Sequence, residues 1–482
     1  MKKCEMFHSL SYENSLSFLK VSYYVPIRLL PIIYAMFFVL VGCNISEETD
    51  LKKATEYYDK ASQLVIQGHL GQAIVEYDKV ISLNLKYVDA YLGRGVARRD
   101  LGDTSGAIDD FSQVIKLDPE NPVGFASRGL TYLEIGESRL AVADYNQAIR
   151  LNPNDSSSYS NRGLAYLDIG RYGIASKDFD EAIKLDPENP KMYAHRGDAR
   201  LKLGDHRLAI EDYGVAITLD PLHIDAYYRR AESYAVIGRI QDAVRHLNGA
   251  IRLDPNNPKL HTSRAAIFGS VGEPDQAIES FTKAIKLEPE NAKLYSDRAI
   301  AYAFMGRFNE AIADYDVALA FVDSNAELYS DRGSVYVMMG EYLLAIDDYD
   351  KSIELSPMNA GFRLLRGDSY AKLGDHSNAI LNYDNAINIR PSFAKAYNNR
   401  GIAYRDIGNF EKARDDFNQS IIVDPNYPYP YANRAVLNAM VGRDSEIEED
   451  VLRAAVLGIK RDSLDKAVSD IKNNRRVTNG SQ

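Results

Sequence analysis

Glycine returns every 34 residues through most of this chain, at Gly68, Gly102, Gly136, Gly170, Gly204, Gly238, Gly272, Gly306, Gly340, Gly374, Gly408 and Gly442, with no insertion between any two. A fixed period of this size means one small supersecondary unit repeated in line, each copy covering the apolar face that its neighbour cannot bury alone. Length alone would suggest several separate domains for 482 residues. The period overrides that expectation, because an array of nearest-neighbour contacts is one elongated domain at any length. Twelve units counted from Ala54 end at Arg461.

The stretch from Ser156 to Asn189, SSSYSNRGLAYLDIGRYGIASKDFDEAIKLDPEN, shows what one unit is. Tyr159, the Leu164/Tyr166 pair and Leu167 recur at three- and four-residue spacing, and Phe179, Ile183 and Leu185 repeat this after Ile174, so the unit reads as two helices. Gly170 lies between them and supplies the left-handed conformation that ends a helix without steric cost. Asp186-Pro187 closes the second helix, since proline lacks an amide donor and restricts the residue before it. Gly163, Ala175 and Ala182 are small where helix backbones must approach. The alanine recurs from Ala73 to Ala413 in eleven units and gives way to Ile447 in the twelfth. An aromatic follows four residues later at Tyr77, Phe111, Tyr145, Phe179, Tyr213, Phe281, Tyr315, Tyr349, Tyr383 and Phe417.

These columns resemble the tetratricopeptide repeat, in which aromatic, Leu-Gly, Tyr, Ala, aromatic, Ala and Pro positions recur over 34 residues. The resemblance covers residues 54–461. It implies an all-α fold, a right-handed superhelical solenoid of about twelve helix-turn-helix units whose first helices line a concave groove for peptides or other proteins. The end units depart from the consensus, with Leu85 for the closing proline in the first and Ile447, Val451 and Ile459 in the last. Residues 462–482 are expected to form a capping helix over Ser463 to Asn473, with Leu464, Val468 and Ile471 on one face, followed by a disordered tail from Arg475 to Gln482.

Residues 1–42 are different in kind. After Lys2, Lys3, Lys20 and Arg28, the segment Leu29 to Gly42 runs uncharged up to Cys43, the profile of a signal peptide. It is shorter than the roughly 18–20 apolar residues that span a bilayer comfortably. Leu40-Val41-Gly42-Cys43 resembles the bacterial lipobox, which implies cleavage before Cys43 and acylation of its thiol. Several acyl chains, as the resemblance implies, hold a protein firmly where one does not. Residues 43–53 then read as a lipidated terminus and polar tether, and the protein is expected in a bacterial envelope, facing away from the cytoplasm. An uncleaved signal anchor with a cytoplasmic array is the alternative. Cys4 and Cys43 are the two cysteines, so the cleaved chain has no disulfide within it.

One column departs from the family pattern. Where the residue before the small one is usually apolar, this chain has Arg94, Arg128, Arg162, Arg196, Arg230, Arg264, Arg298, Arg332, Arg366, Arg400 and Arg434. Charges at a packed position demand partners. The second helices offer Asp110, Asp144, Asp178, Asp212 and their equivalents one residue before the aromatic column, which predicts an arginine–carboxylate ladder, incomplete at His246, Ser280 and Asn382. The sequence leaves open whether each arginine pairs within its own unit or with the preceding one.

Signals for chemistry are sparse. The eight histidines have no metal-ligand spacing, and no nucleophile elbow, phosphate-binding loop or calcium loop occurs. No catalysis, cofactor or metal is expected. A net charge of −11 argues against a phosphate-binding surface, so nucleic acid is not an expected partner. The groove candidates are the family's inward first-helix positions: Val96, Leu130, Leu133, Leu164 and Leu167 as an apolar strip, Asp198, Tyr228, Arg229 and Glu232 as a polar stretch, and Phe304 where apolar surface returns. The expected function is a membrane-anchored, non-enzymatic scaffold for peptides or proteins. The alternative is a binder of glycan or peptidoglycan fragments that regulates an envelope enzyme, using some of the 33 tyrosines for stacking.

Overall fold

The computed structural model describes residues 49–479. Among them every regular element is a helix. A first helix starts at an Asn or Asp whose side chain accepts from the amides one turn in, as at Asn121, Asp155, Asn189, Asn325 and Asn359. Pro122, Pro190 and Pro258 stand at the first helical position, where no donor is wasted. At the other end all twelve periodic glycines have positive φ, between 73° and 86°. In unit 4 the Gly170 amide bonds the Leu167 carbonyl at 3.0 Å and the Arg171 amide bonds Tyr166 at 2.8 Å, closing Ser156–Asp168 and turning the chain into Tyr172–Leu185.

In seven of the twelve units the two helices meet at a glycine and an aromatic ring 16 residues apart, and in the others alanine takes the place of the glycine. A β-carbon on Gly163 would lie 2.8 Å from the Phe179 ring, and one on Gly401 2.7 Å from Phe417. Phe111, Tyr145, Phe179, Tyr213, Tyr349 and Phe417 are fully buried by this contact and by the next unit's first helix.

The chain divides into two bodies, Met1–Ile237 and Gly238–Gln482. The first holds units 1 to 5 and the first helix of unit 6, Ile224–Val236. The second runs from Ile240–Leu253 through unit 12 to the terminal helix Arg461–Asn479. In each, a first helix packs on the second helix of its own unit, and that second helix packs on the next first helix.

Two boundaries differ from expectation. Residues 49–53, read as tether, belong to the helix 49–66, whose Ala54 and Ala61 are fully buried. The terminal helix continues to Asn479 rather than ending at Asn473, so the tail is not disordered at Arg475. The cause is Arg475, which donates to the Ala439 carbonyl at 2.8 Å and pairs with Asp444 at 3.0 Å. Leu464 and Val468 cover Tyr431, Ile447 and Val451, so this helix closes the apolar end of the array. Cys43 and the apolar segment Leu29 to Gly42 lie outside the described residues, as do 480–482. Among the described residues no helix is long and apolar enough to cross a membrane.

Candidate functional site

The arginine column pairs in both directions at once. Arg128 donates from Nε and Nη2 to the two Asp144 oxygens at 2.8 Å each, and from Nη1 to Ser112 of the preceding unit at 3.0 Å. Arg94, Arg162 and Arg196 do the same with Asp110, Asp178 and Asp212. Their third contacts are Asp78, Asn146 and Asp180. In the second body Arg298, Arg332, Arg400 and Arg434 fork onto Asp314, Asp348, Asp416 and Asp450, and reach back to Thr282, Asp316, Asp384 and Asn418.

The planar fork suits this task, giving two parallel bonds to one carboxylate and a third to a neighbour. At Ser280 and Asn382 the carboxylate fork is missing, and these neutral side chains each accept one bond instead, from Arg264 at 3.1 Å and Arg366 at 2.7 Å. At Gly214 the neighbouring position has no side chain, and the Arg230 guanidinium fills the space, 2.7 Å from where a β-carbon would stand. Tyrosines three residues earlier, including Tyr91, Tyr159, Tyr329 and Tyr397, lie 5.5–5.7 Å from the guanidinium carbons. Sequence reasoning missed the column two residues after the aspartates; its signal was a side chain able to accept a hydrogen bond in every unit from Asp78 to Asn418 except at Gly214.

The ladder occupies one flank of the first helices, and the groove candidates lie on another. In the first body Val96 and Leu130 are half-buried. Leu133 packs on the Tyr145 cluster, and Leu164 and Leu167 pack on the Phe179 cluster, so most of this strip serves the core. Asp198, Tyr228, Arg229 and Glu232 form one network. Tyr213 donates to Asp198 at 2.7 Å, Tyr228 to Glu232 at 2.7 Å, and Arg229 to Glu232 at 3.2 Å.

Open apolar surface lies instead in units 7 to 9. Phe304 is 76% exposed, Met338 60% and Ile300 56%. Two adjoining clefts of about 330 and 470 Å³ meet at Ile300 and Phe304. Their walls are faces of three first helices: Ala265, Ala266 and Gly269; Asp297, Ile300, Ala301 and Phe304; Asp331, Ser334, Val335 and Met338. Each set follows the three- and four-residue spacing of one helix face. Phe281 and Tyr315 of the second helices form the floor. The first cleft is bordered by Ala266 and Gly269, where unit 4 has Leu164 and Leu167, and nothing lies within 4 Å of a β-carbon on Gly269.

The rim is acidic. Asp297 is paired with Lys293 one turn earlier at 3.1 Å. At the equivalent place in unit 9 the lysine is replaced by Glu327, which faces Asp331. Burial pushes the Asp331 carboxyl above its ordinary value, and Glu327 pushes it the same way. The Tyr315 phenol is raised by burial and by the nearness of Asp331 and Asp297. Among the described residues no group of three or more His, Cys, Asp and Glu side chains is arranged to hold a metal ion.

The sequence matches several models of one repeat family. Those described as tetratricopeptide repeat match residues 58–122, 161–221, 195–258, 270–330, 326–359 and 394–427. One described as TPR repeat matches 129–170 and 367–408. No curated protein matches the sequence. Among solved structures, a MamA fragment from Desulfovibrio magneticus RS-1 is 24% identical over 36% of this chain and 97% of its own, with a TM-score of 0.34. YrrB, a TPR protein with an unusual peptide-binding site, is 20% identical over 38% of this chain and 95% of its own, with a TM-score of 0.35. Yeast Tom70 is 15% identical over 88% of this chain and 96% of its own, with a TM-score of 0.41.

Proposed function

We propose, from the premise that this chain belongs to the tetratricopeptide-repeat family, that it is a non-enzymatic scaffold binding a partner protein along the first-helix face of units 7 to 9. The observation that carries the reading is the pair of clefts around Phe304 and Met338. A large aromatic left three-quarters exposed between two apolar clefts is a binding anchor waiting for a partner surface. The ladder holds successive helices in register, so the face is presented already ordered, which lowers the entropy lost on binding.

The second part of the proposal is the anchor. Leu40-Val41-Gly42-Cys43 supports lipid attachment at Cys43, which would hold the array at the outer side of a bacterial membrane. The binding reading is tested by a photo-crosslinking residue placed at 304 in the full chain, with the same residue at Ile422, an exposed second-helix position, as control. Adducts with a defined protein at 304 and none at 422 are expected. Equal adducts at both positions, or none at 304, overturn the reading.

A further inference from the structure

The rim and the clefts together say what kind of segment fits. Asp297 and Asp331 stand at equivalent places on neighbouring helices, and Phe304 and Met338 stand seven residues further along the same two helices. Seven residues are two helical turns, about 10 Å. A ligand crossing the first helices therefore meets an acidic row on one side and an apolar row on the other. That separation matches the roughly 10–12 Å width of a helix.

We propose that units 7 to 9 receive a basic amphipathic helix of a partner protein, with its apolar face on Ile300, Phe304 and Met338 and its lysine or arginine side chains turned toward Asp297, Glu327 and Asp331. This rests on the reading of the clefts as the binding surface and specifies the chemistry of what they take. Glu327 and Asp331 are one turn apart, bear the same charge and have no cation within ion-pair distance among the described residues, whereas the equivalent pair in unit 8 is neutralised by Lys293. A ligand cation would relieve that repulsion, and long basic side chains reach such a rim while their stems lie on apolar surface.

A nucleic acid is disfavoured by the same carboxylates, which would face its phosphates. A second copy of this chain is a poor occupant by way of its terminal helix, because Leu464 and Val468 already face the unit 12 core.

The test uses the full chain and synthetic helices of about 18 residues, roughly 27 Å long, enough to cross three units. One probe places leucine at i, i+3, i+4 and i+7 with lysine between to give a basic amphipathic helix, a second replaces lysine by glutamate, and a third scrambles the basic sequence to abolish its apolar face. Each carries a photoreactive group on a leucine position, and adducts are mapped by mass spectrometry. The basic helix is expected to label Pro258–Ser270, Ala292–Phe304 and Ala326–Met339, and the other two to label them at least about tenfold less.

Phe304→Ala is expected to weaken labelling by about tenfold or more. Glu327→Gln combined with Asp331→Asn should weaken it several-fold and remove most of its salt dependence. All three side chains are at the surface, so the fold survives each change, checked by unchanged helical circular dichroism. Equal labelling by the glutamate helix overturns the charge inference and leaves the binding surface in place. Labelling by the basic helix that is indifferent to Phe304→Ala, or that falls outside these three helices, overturns the inference as general attraction to an acidic protein. No labelling by any probe overturns it and counts against the binding surface too.

Discussion

Arg400 grips Asp416 with two parallel hydrogen bonds, Nε to Oδ2 at 2.8 Å and Nη2 to Oδ1 at 2.6 Å, across the two helices of unit 11. Its remaining nitrogen Nη1 reaches Asp384 of unit 10. One side chain thereby ties both the inside of a unit and the joint to its neighbour. The same two-bond fork recurs at Arg94, Arg128, Arg162, Arg196, Arg298, Arg332 and Arg434, so within each body the ladder ties successive first helices at a repeated spacing.

Removing Arg400 leaves the Asp416 carboxylate, 7% exposed, without its cation. Arg400→Ala should therefore destabilise the surrounding units by about 3 kcal/mol. In an array of nearest-neighbour contacts the loss is local. Hydrogen exchange should speed up in units 10 to 12 and leave units 7 and 8 unchanged. Replacing both members, Arg400→Met with Asp416→Leu, should recover most of the loss, because no buried charge then remains.

Gly163 and Gly173 predict opposite outcomes for the same change. Alanine is the better helix former by roughly 1 kcal/mol. At Gly163 its β-carbon would press on the fully buried Phe179 ring at 2.8 Å, so Gly163→Ala should destabilise by about 1–3 kcal/mol despite that gain. Nothing lies within 4 Å of the β-carbon at Gly173, where alanine should stabilise by about 0.5 kcal/mol. Thermal melts of the two variants beside the parent check the pair.

Asp331 carries a pH dependence whose sign is fixed by its environment. Its folded-state carboxyl lies above the ordinary value of 3.8, because of burial and then Glu327. The stability it contributes is present below that ordinary value and is lost as pH rises through the folded value. Asp331→Asn should therefore raise the melting temperature by about 1–2 °C near pH 7, the scale of one like-charge helix pair, and by nothing near pH 3. A larger difference at acid pH than at neutral pH would contradict this assignment.

Cys43→Ala should abolish incorporation of labelled palmitate in a bacterial host and release the array from the membrane fraction. Retention of residues 1–42 in the mature mass, with no lipid, would favour the uncleaved anchor.

The architecture was legible because each unit states it again. Periodic glycines and closing prolines fix where helices end, and the small and aromatic columns fix which faces meet. The arginine–aspartate columns were visible for the same reason, but the third contact was not, since the residues that make it vary among Asp, Asn, Ser and Thr and share only the ability to accept a hydrogen bond. The candidate binding face was the least legible. Leu164 and Phe304 both read as inward first-helix positions, yet one packs on Phe179 and the other is open. The difference is one of unit position: Phe304 is the last residue of its helix, in a column that is also exposed at Asp168, Lys202, Val236 and Met338, whereas Leu164 stands one turn earlier, where the helix meets its partner. The extra turns at Arg475 depend on Ala439 and Asp444, distant in sequence, and so escaped a local reading.

Hydrogen exchange on the full chain, with and without the basic amphipathic helix, tests the account most directly. Protection confined to Pro258–Ser270, Ala292–Phe304 and Ala326–Met339, and absent in Phe304→Ala, is the result expected for a scaffold that binds along this face. Unchanged exchange in these helices, or slowing spread evenly over every unit, would contradict it.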